Sequence, residues 1–225
     1  MAIMVEFEKW IYSLKSPAGL EAQLKMAPQL RKEELEEYKN MTPQYQSAVL
    51  VLLYHDKEEL KLLLTLRSKN LKKHGGQISF PGGKCDKTDR DIIHTAYREA
   101  WEEVGIESDN LKLLGNLSPL LIPVTGFNVF PVVAYCNKRP IINTSAFEVE
   151  RIIEASISEL CNPLNISQNN FGDTTSGNPH YAPYFLIQDM KIWGATAMMI
   201  SELLLTLFPD SEFSKSSSGF LGQTI

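Results

Sequence analysis

The segment from Asp89 to Val104 constrains the fold more than any other part of the sequence. Its apolar residues recur at every fourth position: Ile92, Ala96, Ala100 and Val104. This spacing predicts a helix with one buried stripe. Thr88 or Asp89 is expected to cap the start of the helix, and Gly105 is expected to end it.

Short apolar segments lie on both sides of this helix. We predict strands over Ser47–Tyr54, Glu59–Leu66, Leu111–Leu114, Gly126–Tyr135 and Arg151–Ser156. The first two flank His55-Asp56-Lys57, which predicts a hairpin. The stretch Phe80-Pro81-Gly82-Gly83 cannot be the middle of a helix, so it is expected to form a loop before the helix.

Helical spacing also marks both ends of the chain. It occurs from Phe7 to Lys39, with Pro17 and Pro28 as breaks, and again from Ile192 to Leu207. This order of elements predicts a mixed α/β fold. We expect an N-terminal helical extension over residues 1–44, the α/β domain over 45–209, and a mobile, Ser-rich tail over 210–225.

The charge balance argues against polyanionic partners. The chain has 22 basic and 27 acidic side chains and a formal net charge of -5, so nucleic acid and anionic membranes are expected to be repelled. Glu6, Glu8 and Lys9 interrupt the apolar N-terminus, which therefore lacks a signal-peptide core. The three cysteines are widely spaced and predict neither a disulfide framework nor a zinc site. A cytoplasmic protein is the expectation.

Three glutamates crowd the last turns of the predicted helix. Glu99, Glu102 and Glu103 stand at positions i, i+3 and i+4, so their carboxylates share one face and repel one another. The last turn is also the negative end of the helix dipole. A divalent cation such as Mg²⁺ would offset both costs, because it binds carboxylate oxygens and substrate phosphates together. The alternative is a solvated acidic face.

The residues around the glutamates favour the metal site over the acidic face. Arg98 lies beside the cluster, where it is expected to pair with and orient a glutamate. Gly82 and Gly83 precede the helix and leave bare backbone that can approach a metal or a phosphate. Neither Arg98 nor the glycine pair would indicate a metal site alone, but together with the three glutamates they do.

The run Gly83-x5-Asp89-x8-Arg98-Glu99-Ala100-Trp101-Glu102-Glu103-Val104-Gly105-Ile106 resembles the Nudix box, G-x5-E-x7-R-E-u-x-E-E-x-G-u. It departs at Asp89, where the family usually has Glu, by one extra residue before Arg98, and at the small Ala100. The resemblance implies an α/β/α sandwich with a mixed sheet. It also implies that Glu99 and Glu103 bind Mg²⁺ or Mn²⁺, and that Glu102 is a further ligand or a base.

A second motif lies upstream of the box. LLTLRSKNLKKHGGQISFPGG, from Leu63 to Gly83, resembles the signature of the coenzyme A pyrophosphatase branch, LLTxR[SA]-x3-R-x3-G-x3-FPGG, with Lys72 where Arg is usual. The candidate substrate-binding residues it implies are Arg67, Ser68, Lys72, Gly76, Phe80, Gly82 and Gly83. Residues 61–74 also carry five basic side chains and no acid, which predicts a local anion site, with a merely solubilising loop as the alternative.

The resemblance implies hydrolysis of the coenzyme A diphosphate to 3′,5′-ADP and 4′-phosphopantetheine. Glu102, Glu148 and Glu150 are candidate bases, whereas His74 and His94 are expected to be structural or to contact phosphate. A homodimer is an expectation from the superfamily. Two alternatives remain: hydrolysis of another substrate such as ADP-ribose, a dinucleoside polyphosphate or a nucleoside triphosphate, and a non-catalytic domain that binds a nucleotide or a protein partner.

Overall fold

The computed structural model describes residues 2–33, 40–71, 75–171 and 181–216. Its helices are α1 (Ala2–Ser13), α2 (Gly19–Leu24), α3 (Gln29–Glu33), α4 (Ile92–Val104), α5 (Ile157–Cys161), α6 (Gly194–Leu207) and α7 (Glu212–Ser216), with 3₁₀ turns at Ser108–Asn110 and Pro163–Asn165. Tertiary contacts divide the chain into two compact units, residues 40–157 and residues 1–39 with 158–225. The domain boundaries predicted from the sequence, at 44/45 and 209/210, stay predictions.

An eight-stranded sheet forms the frame of residues 40–157. Its strands are β1 (Tyr45–Asp56), β2 (Glu59–Arg67), β3 (Ile78–Ser79), β4 (Gly82–Lys84), β5 (Lys112–Asn116), β6 (Leu120–Ile122), β7 (Phe127–Cys136) and β8 (Val149–Ser156). The order is β3-β2-β1-β7-β5, with β4 on β1, β6 on β7 and β8 on β2. The pair β1 and β7 is parallel and the other pairs are antiparallel. The predicted mixed α/β fold is confirmed, and so is the hairpin of β1 and β2.

Helix α4 packs against one face of this sheet. Its buried stripe is the predicted one and contacts alternate residues of β1, among them Ala48, Leu50 and Leu52, in one apolar cluster. Each fully buried leucine of this kind contributes about 1.5–3 kcal/mol. The small side chain of Ala100, which departs from the Nudix pattern, lies fully buried in that cluster.

The predicted cap of α4 is wrong, although its predicted end is right. Asp91, rather than Thr88 or Asp89, is the N-cap residue, and its carboxylate accepts a hydrogen bond from His94 N at 2.8 Å. The carboxylate of Asp89 is bound to Arg98 instead. Gly105 ends the helix with a left-handed φ of 67°, a conformation that glycine adopts without steric cost.

The second unit contains a separate sheet and the long helix α6. Strands β9 (Ile166–Asn170), β10 (Tyr181–Ile187) and β11 (Met190–Trp193) pair antiparallel in the order β11-β10-β9. The helix predicted from Ile192 therefore begins two residues later, at Gly194, because Ile192 and Trp193 pair with β10. Within the tail predicted to be mobile from Asp210, residues 212–216 form α7, where Phe213 is buried. Residues 217–225 lie outside the described part of the chain.

The N-terminal helices pack against α6. Buried Glu202 of α6 accepts hydrogen bonds from Gly19 N at 3.0 Å and from Gln23 Nε2 at 2.8 Å, which satisfies the start of α2. Ser201 donates to Ala22 O at 2.6 Å. Helices α1, α2 and α3 all overlap the stretch Phe7–Lys39 in which helical spacing was predicted, and residues 34–39 of that stretch lie outside the described part of the chain. Within the described ranges, no helix is long and apolar enough to span a bilayer.

Candidate active site

The glycine loop lies directly against the glutamates of α4. Strand β4 is held by β1, with Val49 opposite Gly82 and Ala48 opposite Gly83. A Cβ atom at Gly83 would lie 2.4 Å from the Glu99 carboxylate, and one at Gly82 would lie 2.5 Å from Ala48 O. At Gly82 a side chain would clash with backbone atoms, and at Gly83 it would displace the Glu99 carboxylate. The predicted approach of this backbone to a metal or a phosphate stays a prediction.

Glu103 is the most buried acidic residue of this site, with 2% of its surface exposed. Its Oε1 is 3.3 Å from Arg67 Nη1, and its Oε2 accepts a hydrogen bond from Gly82 N at 3.3 Å. Burial raises the pKa of Glu103 to about 7, against the opposing effect of Arg67 and Gly82, and the nearby carboxylates of Glu148 and Glu99 raise it further. Its two partners therefore do not compensate fully for the loss of hydration.

Arg98 holds the other two glutamates of the helix. Its Nη1 lies 2.8 Å from Glu99 Oε1 and 3.1 Å from Glu102 Oε2. Burial raises the pKa of Glu99, Arg98 lowers it, and Glu102 and Glu148 raise it. Glu102 is the more open of the two, with 52% of its side chain exposed against 15% for Glu99. Arg98 thus contacts both carboxylates, and the orienting role expected of it stays a prediction.

Asp89 holds Arg98 in turn. Its two oxygens accept from Arg98 Nε and Nη2, each at 2.9 Å, in the bidentate geometry that suits arginine. Thr95 donates to the same carboxylate at 2.8 Å, and His94 Nδ1 lies 2.9 Å from it. Arg98 first, then the backbone N–H of Asp86 and the side chains of Thr95 and His94, keep the pKa of Asp89 well below its usual range despite its burial. The residue that departs from the Nudix pattern has a defined partner here, and His94 has a structural contact.

Glu148 and Glu150 lie in different surroundings. Glu148 is close enough to Glu99 and Glu103 to raise the pKa of both. Its backbone N–H donates to Ser145 O, and its carbonyl accepts from Ser68 N at 2.8 Å. Glu150 forms a long ion pair with the exposed Lys69 at 3.8 Å. Of the two candidates the structure places Glu148 beside the glutamate helix.

The upstream signature joins this site through Arg67. Gly76 N donates to Arg67 O at 2.9 Å, and Gly76 adopts a left-handed φ of 76°. Ser68 is buried and its hydroxyl accepts from Asn70 N at 3.3 Å, while Phe80 is buried in the core. Both side chains are buried, and their predicted contact with the substrate stays a prediction. Lys72, Lys73 and His74 lie outside the described residues.

The predicted basic stretch is divided by the fold. Lys61 pairs with Asp56 and Glu59 at 3.6 and 3.4 Å, at the hairpin end of β2. Arg67 is at the other end of that strand, where it contacts Glu103. The Nε of Arg67 is buried and has no hydrogen-bond partner among the described residues. A buried unpaired donor costs about 1–3 kcal/mol, so an acceptor at this nitrogen would stabilise the folded protein.

A hard divalent cation fits the chemistry of this donor set. Among the residues that the structure describes, no three His, Cys, Asp or Glu side chains are already grouped as a metal cage. The charge of the cluster is nevertheless under-compensated, because Glu148 raises the pKa of both Glu99 and Glu103. A cation would remove the repulsion between these carboxylates. The backbone of Gly83 packs directly against the Glu99 carboxylate, where a Cβ atom would lie 2.4 Å from it. Glu99 and Glu103 would hold it, with Glu102 within reach of Arg98.

Comparison with known proteins is decisive for the family. The NUDIX domain matches residues 44–149. A protein from Pectobacterium atrosepticum named "Uncharacterized Nudix hydrolase NudL" is 38% identical over 191 residues, which cover 82% of this chain and 90% of that protein. The chain is a Nudix hydrolase. A NudL from Photorhabdus laumondii is 36% identical over 166 residues, 73% of the hydrolase and 87% of the relative.

Solved structures overlap with the hydrolase in part. A MutT/nudix family protein from Enterococcus faecalis has a TM-score of 0.48 and 14% identity, and covers 84% of the hydrolase and 74% of its own chain. An Ap4A hydrolase from C. elegans has a TM-score of 0.44 and 20% identity, and the match covers 52% of this chain and 82% of the Ap4A hydrolase chain. The family assignment makes the protein an enzyme that acts on the pyrophosphate bond of a nucleoside diphosphate derivative, in a family that generally uses divalent metal ions.

Proposed function

We propose that this Nudix hydrolase cleaves the diphosphate bond of coenzyme A or its derivatives, giving 3′,5′-ADP and 4′-phosphopantetheine or its acyl form. The observation that carries the proposal is the contact of Arg67 with Glu103, 3.3 Å between Nη1 and Oε1. Arg67 belongs to the LLTLR signature and Glu103 to the Nudix box. The upstream signature, which suggests the substrate, and the Nudix box, which carries the proposed metal ligands, are therefore in contact through Arg67 and Glu103.

The acidic residues divide into metal ligands and a base. Glu99 and Glu103 are proposed to hold Mg²⁺ or Mn²⁺, with Glu102 as a further ligand. The bound metal supplies neutralisation of the diphosphate oxygens and a lowered pKa of the attacking water. Glu148 is proposed to accept the proton of that water, because it lies beside Glu99 and Glu103 without being held by an arginine or lysine in the described contacts.

Basic side chains bind the substrate or position the acids. The Arg67 side chain is 25% exposed beside Glu103, which supports a contact of its guanidinium with a diphosphate oxygen. The upstream loop, with Ser68, Lys72 and Gly76, is proposed to bind the rest of the phosphate groups, and Gly82 and Gly83 to bring backbone to them. Arg98 contacts Glu99 and Glu102 rather than open space, so its role is to orient them.

The cellular setting is also part of the proposal. The cysteines Cys85, Cys136 and Cys161 are free thiols, which supports a reducing cytoplasm. The net charge of -5 supports a small-molecule substrate over nucleic acid or a membrane. A homodimer is proposed from the superfamily, and sedimentation of the purified protein would test it.

A substrate panel tests the proposal. Coenzyme A, acetyl coenzyme A, ADP-ribose, a dinucleoside tetraphosphate and a nucleoside triphosphate are each incubated with enzyme and Mg²⁺ or Mn²⁺, and the products are identified by mass spectrometry. We expect the highest kcat/KM with coenzyme A or an acyl form, and 3′,5′-ADP as product. A preference for ADP-ribose would overturn the substrate assignment. Tight coenzyme A binding without any metal-dependent product would instead favour a non-catalytic domain.

Two matched variants test the base. Glu148→Gln is expected to lower kcat about 10²–10⁴-fold, the usual contribution of a general base. Glu150→Gln, two residues away and paired with the exposed Lys69, is the control and should retain most of the activity. Equal losses in both variants would remove Glu148 as the base.

A further inference from the structure

Two arginines contact the glutamates of the site, and they are held in different ways. Arg98 is anchored by the two oxygens of Asp89, each at 2.9 Å, and its Nη2 also donates to Lys84 O at 3.2 Å. The guanidinium of Arg67 has a single polar partner among the described residues, Glu103 Oε1 at 3.3 Å, and its Nε has none. Arg98 is therefore fixed by residues other than the glutamates, whereas the described contacts of Arg67 hold it only to the carboxylate that it neutralises.

The backbone of Arg67 is fixed, but its side chain can turn. Arg67 N donates to Gln77 O and Arg67 O accepts from Gly76 N, both at 2.9 Å, at the end of β2. The side chain of Arg67 is 25% exposed, against 3% for that of Glu103. The long side chain of arginine has many rotamers, so the guanidinium can leave Glu103 toward solvent while its Cα atom stays in place.

A cation on Glu103 would compete with Arg67. Gly82 N donates to Glu103 Oε2 at 3.3 Å, and Gly82 is held by its strand pairing with Val49. The partner that can give way is therefore Arg67, on Oε1. Mg²⁺ binds its oxygen ligands at about 2.1 Å, so an ion on Oε1 would lie within about 5 Å of Arg67 Nη1 if the 3.3 Å contact stayed. Two positive charges at that separation repel each other, so the cation and the Arg67 contact disfavour one another.

We propose, resting on the proposed function, that Arg67 exchanges partners: it neutralises Glu103 in the metal-free enzyme and transfers to a diphosphate oxygen when a divalent cation binds Glu103. Arg98 stays on Glu99 and Glu102 throughout. The cation then releases the guanidinium that the diphosphate needs, and the diphosphate removes the guanidinium that competes with the cation. Each ligand therefore strengthens the binding of the other through Arg67, by the same factor in both directions.

Crystal structures of the full-length protein show the exchange directly. They are determined without metal, with Mg²⁺, and with Mg²⁺ and methylenediphosphonate, a diphosphate analogue that resists hydrolysis. In both Mg²⁺ structures we expect the distance from Arg67 Nη1 to Glu103 Oε1 to grow from 3.3 Å to more than about 4 Å, beyond ion-pair distance. The guanidinium should contact a phosphonate oxygen in the last structure, while Arg98 keeps its contacts with Asp89. A 3.3 Å contact that persists with Mg²⁺ bound would overturn the exchange, and absence of Mg²⁺ from Glu103 would overturn the proposed metal site with it.

Calorimetry measures the consequence in solution. Mg²⁺ binding is measured at pH 9, well above the pKa of about 7 of Glu103, with and without methylenediphosphonate. Arg67→Met is expected to bind Mg²⁺ alone several-fold more tightly than the wild type, because no guanidinium competes for Glu103. The same variant should lose at least about 5-fold of the enhancement that the diphosphonate gives, the lower end of the usual coupling between two ligands. A fixed supporting role of Arg67 predicts weaker binding of Mg²⁺ alone, so equal or weaker binding by Arg67→Met would overturn the exchange.

Arg151→Met is the matched control. Arg151 is exposed and lies opposite Leu66 in the register of β2 and β8, and its variant loses the same charge. A similar gain in Mg²⁺ affinity in this control would assign the effect to net charge and overturn the exchange. Methylenediphosphonate has no coenzyme A group, so the exchange is tested apart from the substrate. If the exchange holds and coenzyme A is not hydrolysed, the substrate assignment fails and the role of Arg67 stands; if coenzyme A is hydrolysed and the Arg67 contact persists, the reverse is true.

Discussion

Replacing Glu103 with Gln should make the metal-free protein less sensitive to pH while it abolishes turnover. Burial raises the pKa of this carboxyl from 4.5 to about 7 in the folded protein. Between these two values the folded chain keeps a proton that the unfolded chain has lost. The stability of the wild type therefore falls as the pH rises through this window, and the Gln side chain cannot contribute to that fall.

The size of this change in stability follows from the shift in the pKa of Glu103. The difference between 4.5 and about 7 corresponds to about 3 kcal/mol of stability lost above the window. The group is 2% exposed, so solvent screening reduces this figure little. At pH 4 both side chains are neutral, and the variant should be nearly as stable as the wild type. At pH 8 it should be more stable by an amount approaching that figure.

Urea denaturation with a chelator present, at several pH values from 4 to 8, measures this difference. Glu102→Gln is the matched control, because the Glu102 side chain is 52% exposed, and its stability should follow that of the wild type. The same samples with Mn²⁺ give a second readout: the metal should raise the Tm of the wild type and have little effect on Glu103→Gln. A stability difference that does not change with pH would refute the assignment of Glu103 as a carboxylate buried at a cost.

Three further outcomes are expected. Asp89→Asn should lower kcat/KM about 10- to 100-fold, because Arg98 loses its bidentate partner; a Mn²⁺ titration of the variant should show weakened affinity, and unchanged affinity would contradict the link. Gly83→Ala should remove most activity, since its Cβ would lie 2.4 Å from the Glu99 carboxylate, and an active variant would show that the loop can shift. Arg67→Lys should raise KM more than it lowers kcat, because a lysine keeps the charge and loses the fork; an unchanged KM would remove Arg67 from substrate binding.

Local signals in the sequence were enough to predict the glutamate helix. Its four-residue apolar period reflects contacts that the helix makes along its own length, and the observed Ile92–Val104 follows it. The cap could not be predicted in the same way, because Thr88, Asp89 and Asp91 are all good capping residues. Asp89 does not cap the helix because its carboxylate is bound to Arg98, nine residues away. Only the folded loop decides between them.

Sequence reasoning missed contacts between distant segments for the same reason. Composition suggested a mobile end after Asp210, but the burial of Phe213 stabilises a short helix there. Glu148 and Glu150 were equivalent as candidates, since both follow the same loop. Glu148 lies just before strand β8 and Glu150 lies within it, and Glu148 is close enough to Glu99 and Glu103 to raise the pKa of both. A motif search finds the helix that bears the acids and does not find the further acid that the fold brings beside it.

The peptide of Ser145 connects two of the acidic segments. Its N–H donates to Glu103 O at 2.9 Å, and its carbonyl accepts from Glu148 N at 3.0 Å and from Val149 N at 2.9 Å. Backbone hydrogen bonds of one residue, Ser145, thus fix the distance between the segments that carry Glu103 and Glu148. Insertions between residues 137 and 142 should be tolerated by a working enzyme, whereas one added residue between 145 and 148 would leave every acid in the sequence and still separate them in space. In this loop, length is under tighter constraint than residue type.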